Sequence, residues 1–513
     1  MEEKKQTILE WYREKHNYID APCGGQGTCG KCKVRFLENP PEPTEREKEL
    51  LSAEEIAGQI RLACMTRMAE GSRFVPAAKM SEQEYIMVHE PAAGTYGIAI
   101  DVGTTTLVMR LVNLNTGKAI ATVSGVNPQR MYGADVITRI KLANEGQLQL
   151  LCLEVKRALK DLFYLLLEEA KIVTSLIKKV VIVGNTTMLH ILQGYSCEGL
   201  GTAPFSPVDL SMQKLTAGAY AKELPEDAKI IILPGISAFV GADIVAGMYY
   251  CDMDLKETTH MLVDVGTNGE MVLGNRHGFW VTSTAAGPVF EGGNISCGMP
   301  AVLGCITHMR LRKCEYSRQE EQALNVAVSK QQKKVKRVES WEYEYLGEQT
   351  PQGICGSGLI DLTAGLYEAG IIDENGTLTE AYFEEVYPIC QSTETTLRML
   401  QSDIREIQMG KAAIRAGIEL LSRKVTPENI YLAGAFGAQI DLKSAMGIGL
   451  FSESDIAKIK SVGNAALEGA QKFLLDEAGE ARIKEMVSCA KEILLANEPE
   501  FEEYYIQYMQ FEK

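Results

Sequence analysis

Two stretches of this chain, I-A-I-D-V-G-T-T-T-L-V-M and M-L-V-D-V-G-T-N-G-E-M-V, follow one plan. An apolar run ends in an aspartate, Val-Gly-Thr follows, and a second apolar run returns, which reads as strand, tight turn, strand. The aspartates, Asp101 and Asp264, lie 163 residues apart, so the echo is a duplication on the scale of a domain and not a solenoid repeat. Turns of this kind present backbone amides and hydroxyls to phosphate oxygens, while the aspartate holds Mg²⁺ directly or through water. The residues so placed are Gly103, Thr104 and Thr105 in the first copy, and Gly266, Thr267, Asn268 and Gly269 in the second. A third element, L-A-G-A-F-G, puts Gly434, Ala435, Phe436 and Gly437 after a buried strand, where small residues let adenosine lie against backbone. One Gly-Thr turn alone is a common accident; two in duplicated contexts with this third element form a pattern.

The front of the chain has a different chemistry. Cys23, Cys29 and Cys32 lie in A-P-C-G-G-Q-G-T-C-G-K-C, and Cys64 follows in R-L-A-C. Plant-type [2Fe–2S] ferredoxins use C-x₄-C-x₂-C and a distant fourth cysteine; one more residue in the first gap resembles the adrenodoxin-like variant. Gly24, Gly25, Gly27 and Gly30 allow the left-handed turns that wrap a backbone around a cluster. A zinc ribbon would need two C-x₂-C pairs, and one is present. The nine remaining cysteines, from Cys152 to Cys489, form no second ligand pattern and read as buried thiols. Thirteen cysteines and no secretory leader point to a reducing, cytoplasmic compartment. A net charge of −16 argues against nucleic acid, and no apolar run reaches the roughly 18 residues of a membrane helix. Six histidines without an H-x₂₋₄-H pair argue against a zinc or non-haem iron centre.

Periodicity predicts a helix over 6–16 with Ile8, Leu9 and Tyr12 on one face, then a strand carrying Val34 and Phe36. Thr44 caps a short acidic helix, and 80–95 reads as a linker ending in Pro91 and Gly94. Alternating strands and helices follow, with long helices over 148–170, 357–369 and 404–421 and a charged, strand-like excursion over 310–345. The expected organisation is a [2Fe–2S] module over 1–79, a linker over 80–95, and ATPase subdomains over 96–257 and 258–513.

The two phosphate turns and the G-A-F-G element together resemble the superfamily of actin, sugar and acetate kinases and heat-shock chaperones. The resemblance implies an α/β fold: a duplicated actin/hexokinase-like, ribonuclease H-like ATPase domain behind a small α+β ferredoxin-like module. Sugar kinases carry a catalytic aspartate ahead of the second phosphate loop, and Asp243, 21 residues before Asp264, stands in that place. By resemblance it orients the attacking water; its other reading is a helix N-cap.

Further strings are more specific: N-P-Q-R-M-Y-G-A-D-V-I-T-R-I, V-G-N-T-T-M, T-A-A-G-P-V-F-E-G-G-N-I and G-I-C-G-S-G-L-I-D. With the cysteines and the turns, they resemble the reductive activators of corrinoid enzymes. The resemblance implies an enzyme that uses ATP to pass one electron from a [2Fe–2S] cluster to Co(II) of a corrinoid protein, regenerating Co(I). It also implies an upstream electron donor and a homodimer. Two departures are expected: no β-hairpin before the first helix, so that the module is N-terminally short, and only 80–95 in place of the middle domain of larger relatives. A small-molecule kinase with a regulatory cluster, and a redox-sensing ATP-binding scaffold, are the alternatives. Asn127, Gln129, Tyr132 and Asp135 read as an acceptor-side polar patch, and Thr284 to Glu291 as a turn under the nucleotide or a helix cap. Glu291 and Lys411 approach phosphate or ribose, or are surface charges; His190 reads as a satisfied core histidine and not a cobalt ligand.

Overall fold

The computed structural model describes residues 6–68, 71–77, 84–217, 224–311, 341–347, 351–383, 387–391 and 396–511. They fall into two compact units, one made of 1–264, 270–283 and 462–493, the other of 265–269, 284–461 and 494–513.

The first unit begins with a capping box. The Thr7 hydroxyl accepts from the Glu10 amide and the Glu10 carboxylate accepts from the Thr7 amide, which starts the helix Ile8–Glu14. Ile8, Leu9 and Tyr12 are buried, as the periodicity predicts. Strands β1 (Lys33–Phe36), β2 (Ile60–Leu62) and β3 (Phe74–Pro76) form a small antiparallel sheet with β1 in the middle. Val34 and Phe36 point inward, and Phe74 meets Trp11 edge-on and Phe36 at a tilt, at 5.6 and 5.8 Å between ring centres. Thr44 caps the helix Glu45–Leu50 in a second capping box. Its partner Glu47 is buried, and its other oxygen accepts from the Leu62 amide and the Thr66 hydroxyl at 2.7 and 3.2 Å. One carboxylate thus starts a helix and fixes the turn that carries Cys64.

Seven strands make the larger sheet of this unit: β4 (Glu84–Met87), β5 (Tyr96–Val102), β6 (Thr106–Asn113), β7 (Ala119–Val126), β8 (Ile177–Gly184), β9 (Gln213–Thr216) and β10 (Lys229–Ile232). Their order is β4-β7-β6-β5-β8-β10-β9. β5, β8 and β10 run parallel at the centre, and the flanking pairs are antiparallel. The helix Leu148–Ala170 packs on β6 and β7, and the helix Ala465–Leu475 on β5 and β8. Layers on both faces explain why β5 and β8 read as nearly unbroken apolar runs. The expected linker over 80–95 does more than connect: β4 adds to the sheet edge, with Glu84 opposite Ser124. Strands β11 (His260–Val265), β12 (Gly269–Asn275) and β13 (Gly278–Thr284) follow in order, and the strand Ala490–Glu492 pairs parallel with β13.

In the second unit the strand Cys305–Leu311 lies between Trp341–Tyr345 and Gly353–Ile354. The helices Gly356–Glu368 and Gln401–Ser422 form its core, and the helix Pro499–Gln507 packs on the latter. Residues 312–340 of the expected excursion lie outside the described residues; its described flanks pair with each other as strands. Among the extra cysteines, Cys152, Cys197, Cys297, Cys305 and Cys355 are buried, but Cys251 is half-buried and Cys489 is exposed, against expectation. Cys314 and the Cys390 side chain lie outside the described residues.

Candidate functional site

The four candidate cluster cysteines come together two and two. The Cys29 thiol hydrogen-bonds Cys23 and holds it well below the usual thiol range, with the Thr28, Cys29 and Gly25 amides assisting. Cys32 and Cys64 form the second pair, and the Cys64 amide donates to Cys32 Sγ at 3.5 Å. Among the described residues no group of three or more His, Cys, Asp or Glu side chains surrounds a single ion. Two pairs instead suit two irons with two thiolates each, and amides aimed at sulfur suit thiolate charge. Gly24, Gly25, Gly27 and Gly30 all have positive φ, as expected. At Gly24 a Cβ would also stand 2.5 Å from the Tyr132 carbonyl oxygen, so only glycine fits there.

The first Gly-Thr turn leaves β5 and enters β6. The Gly103 amide donates to the Thr106 carbonyl at 3.1 Å, and a Cβ at Gly103 would lie 2.6 Å from that oxygen. Residues from three other segments brace it. Asn127 Nδ2 donates to the Gly103 carbonyl at 2.9 Å, Arg139 Nη2 to the Thr104 carbonyl at 2.6 Å, and Asn185 Nδ2 to the Thr104 hydroxyl at 2.9 Å. Asn127 and Gln129 are fully buried and Tyr132 is buried. The expected acceptor-side patch is therefore a brace beneath the turn, with Asp135 occupied as the N-cap of the helix Val136–Leu142.

Three carboxylates of the first unit share one electrostatic neighbourhood. Asp101 is the penultimate residue of β5; burial pushes its carboxyl up to about 6, while the Asn464 side-chain amide, 2.8 Å away, pulls the other way. Asp243 is pushed up to about 8 by burial, then by the negative charges of Asp264 and Asp101. It is the second residue of the helix Ala242–Tyr250, whose N-cap is Gly241, so the capping alternative fails. Its Oδ1 accepts from the Ile244 amide at 2.8 Å. Crowded carboxylates of this kind favour a cation.

The second turn belongs to the second unit. The Gly266 amide donates to the Asn268 carbonyl at 3.0 Å, and Glu291 Oε1 accepts from the Thr267 amide and hydroxyl, both at 3.1 Å. Glu291 thus shapes this turn, and a Cβ at Gly269 would stand 2.1 Å from Ile414 Cδ1. Gly434 to Gly437 open the helix Gly434–Gln439 instead of forming a free turn, with Gly434 at a φ of 87°. Phe436 is buried against Phe290, 4.8 Å between ring centres; the Ala435 side chain lies outside the described residues. Lys411 faces no open surface: it is fully buried, and its Nζ donates to the Tyr508 and Gln510 carbonyls at 2.6 Å each. His190 is the expected core histidine, with Nδ1 on the Thr186 carbonyl at 2.8 Å and Nε2 accepting from the Val208 amide at 3.0 Å.

Sequence reasoning missed Asn464, Arg130, Arg139 and Asn185. Asn185 sat in view, because V-G-N-T-T-M reads as a strand followed by an N-cap, whereas Asn464 reaches Asp101 from 363 residues away.

Residues 1–69 match the 2Fe-2S iron-sulfur cluster binding domain, 96–256 the RACo middle region, and 258–513 the C-terminal domain of RACo, the ASKHA domain. A middle region is therefore present, against expectation, and occupies the stretch read as the first ATPase subdomain. The corrinoid activation enzyme RamQ of Eubacterium limosum is 30% identical over 457 residues, 83% of this chain and 72% of that protein. A [Co(II) methylated amine-specific corrinoid protein] reductase of Methanosarcina barkeri is 24% identical over 80% of this chain and 76% of its own. A solved structure of a reductive activator for corrinoid, iron-sulfur protein superposes with a TM-score of 0.71 at 25% identity, covering 99% of this chain and 95% of that one. The chain belongs to the family of RACo-type reductive activators of corrinoid proteins.

Proposed function

We infer that this protein uses ATP to drive one electron onto the Co(II) of a corrinoid protein, restoring Co(I). The observation that carries this is the joining, in one chain similar along most of its length to corrinoid activators, of a four-cysteine loop and two braced Gly-Thr turns. Cys23 and Cys29 would hold one iron of a [2Fe–2S] cluster, and Cys32 and Cys64 the other. When bound, the cluster supplies a one-electron carrier near −400 mV. The Co(II)/Co(I) couple of a protein-bound corrinoid generally lies lower, so the transfer is uphill without another source of free energy.

The phosphate turns supply the handle for that source. Thr104 and Thr105 in one turn would offer hydroxyls and amides to phosphate oxygens, and in the other Asn268 would do so beside Thr267, whose amide and hydroxyl would turn from Glu291 to the phosphate. Asp101 and Asp264 would hold Mg²⁺, largely through its waters, and Asp243 would orient the attacking water. Gly434 and Phe436 would lie along adenosine. A single cluster carries one electron, so a separate low-potential donor must reload it after each turnover. Neither the kinase nor the scaffold alternative draws support from the relatives.

The test mixes anaerobic, cluster-loaded protein, a low-potential reductant, ATP and a Co(II)-corrinoid protein, and follows the visible spectrum for Co(I). Co(I) is expected only with ATP, and is expected to be absent with Cys32→Ser or Asp264→Ala. Co(I) formed equally well without ATP would sink the reading.

A further inference from the structure

The segment 127–134 touches two things at once. On one side lies the first phosphate turn: the Asn127 amide donates to the Thr105 carbonyl at 2.8 Å and its side chain to the Gly103 carbonyl. On the other side lies the cysteine loop. The Ala134 amide donates to the Pro22 carbonyl at 3.0 Å, and Gly24 presses against the Tyr132 carbonyl. Arg13, from the first helix, bridges the seam: its Nη2 donates to the Gly24 carbonyl at 2.9 Å and to the Met131 carbonyl, and its guanidinium lies 4.6 Å over the Tyr132 ring.

One side chain spans the seam from end to end. Arg130 donates through Nε and Nη2 to Asp20 Oδ1 at 3.3 and 3.2 Å, three residues before Cys23, and through Nη1 to the Thr105 hydroxyl at 3.5 Å. It is 3% exposed. Tyr18 also donates to Asp20 Oδ1, at 3.1 Å, which fixes that carboxylate toward Arg130. A buried guanidinium shared between a carboxylate and a hydroxyl is sensitive to any new anion at the hydroxyl end.

We propose that Arg130 is a positioning residue that reports nucleotide occupancy of the Gly103–Thr105 turn to the cysteine loop. A phosphate at Thr104 and Thr105 draws the guanidinium toward the turn, weakens its hold on Asp20, and loosens residues 20–32 from their seat on 127–134. The loosened loop is the form that meets the corrinoid partner, so electron delivery is gated by nucleotide. This rests on the activator reading above. Thermodynamic reciprocity follows: whatever weakens the Asp20 end must strengthen nucleotide binding, because the two compete for one cation.

The test uses the full, cluster-loaded chain and the Mg²⁺ complex of a non-hydrolysable β,γ-imido ATP analogue. Amide hydrogen exchange over 20–32 is expected to rise about tenfold on adding the analogue, within the usual range of coupling between sites. The rise is expected to vanish in Arg130→Gln and to survive in part in Arg130→Lys. Asp20→Asn is expected to bind the analogue about tenfold tighter, a gain that a merely structural role would not produce. Exchange over 20–32 that ignores bound analogue, or an Asp20→Asn chain that binds it no tighter, overturns the proposal. A wild-type chain that reduces Co(II) with ATP and yet shows no change in exchange overturns the relay alone. Loss of ATP-dependent reduction in the wild type overturns the activator reading instead.

Discussion

His190 shows what a buried titratable side chain does when both ring nitrogens are already engaged. Its Nδ1–H donates to the Thr186 carbonyl and its Nε2 accepts from the Val208 amide, so a second proton would break the Val208 bond. Burial accordingly holds it below its ordinary 6.5. Below that pH the unfolded chain takes up a proton that the folded chain resists, so the unfolded state binds more protons and stability falls as acid is added. We expect the unfolding temperature of the wild type to drop between pH 6.5 and pH 5 more steeply than that of His190→Gln. The corresponding difference in unfolding free energy is at most about 1.4 kcal/mol per pH unit; parallel curves would show that the histidine does not titrate with unfolding. This residue was readable in advance because T-T-M-L-H lies on an apolar helix. The burial of Asn127 and Gln129 was not, since polar residues after a strand read as an open acceptor-side patch. Their burial comes from the first Gly-Thr turn and the helix Leu148–Ala170, partners outside the loop itself.

At the scale of elements, the helix Gln401–Ser422 is closed by the end of the chain. Lys411 lies in mid-helix, where a single-sequence reading allows a phosphate ligand. In the fold its ammonium satisfies two carbonyls, Tyr508 and Gln510, and sits 5.2 Å from the centre of the Phe511 ring. Neighbouring Gln408 repeats the device on the Met509 carbonyl at 2.8 Å. These side chains fasten residues 508–511 to the helix. Lys411→Met is expected to lower stability by about 2 kcal/mol, the usual worth of charged hydrogen bonds, while leaving nucleotide affinity within twofold. Calorimetric unfolding and a binding titration read the two quantities separately, and a large loss of affinity would return Lys411 to the nucleotide. Elements with strong local signals were visible early: the apolar face of Ile8, Leu9 and Tyr12, the cap at Thr44, the amphipathic stripe of Leu148–Ala170 and the apolar stretch Val180–Val183 of β8. β4 was missed because a four-residue edge strand has no period to display, and its pairing with β7 is settled by the neighbour. That G-A-F-G opens a helix was hidden for a related reason. Glycine marks a change of direction but does not say whether a turn or a helix follows.

At the scale of the molecule, the duplicated aspartate turns and the cysteine loop were legible as motifs, and what stayed hidden was the contact between the segments proposed to couple them. Contacts such as Arg130 with Asp20 join segments 110 residues apart and leave no periodic trace. The coupling has an energy requirement. For one electron a gap of about 200 mV corresponds to about 5 kcal/mol, and a ligand supplies that only by preferring one state of its partner by between three and four powers of ten. The nucleotide turns must therefore sense the Co(II) protein, not merely coexist with it. ATP hydrolysis by the cluster-loaded chain is expected to rise about tenfold or more on adding a Co(II)-corrinoid protein, and to stay at its basal rate with the methylated form, which needs no electron. Phosphate release measured against increasing partner reads this directly. Hydrolysis that ignores the cobalt state would mean that nucleotide turnover and electron transfer run independently, and the uphill step would then have no drive.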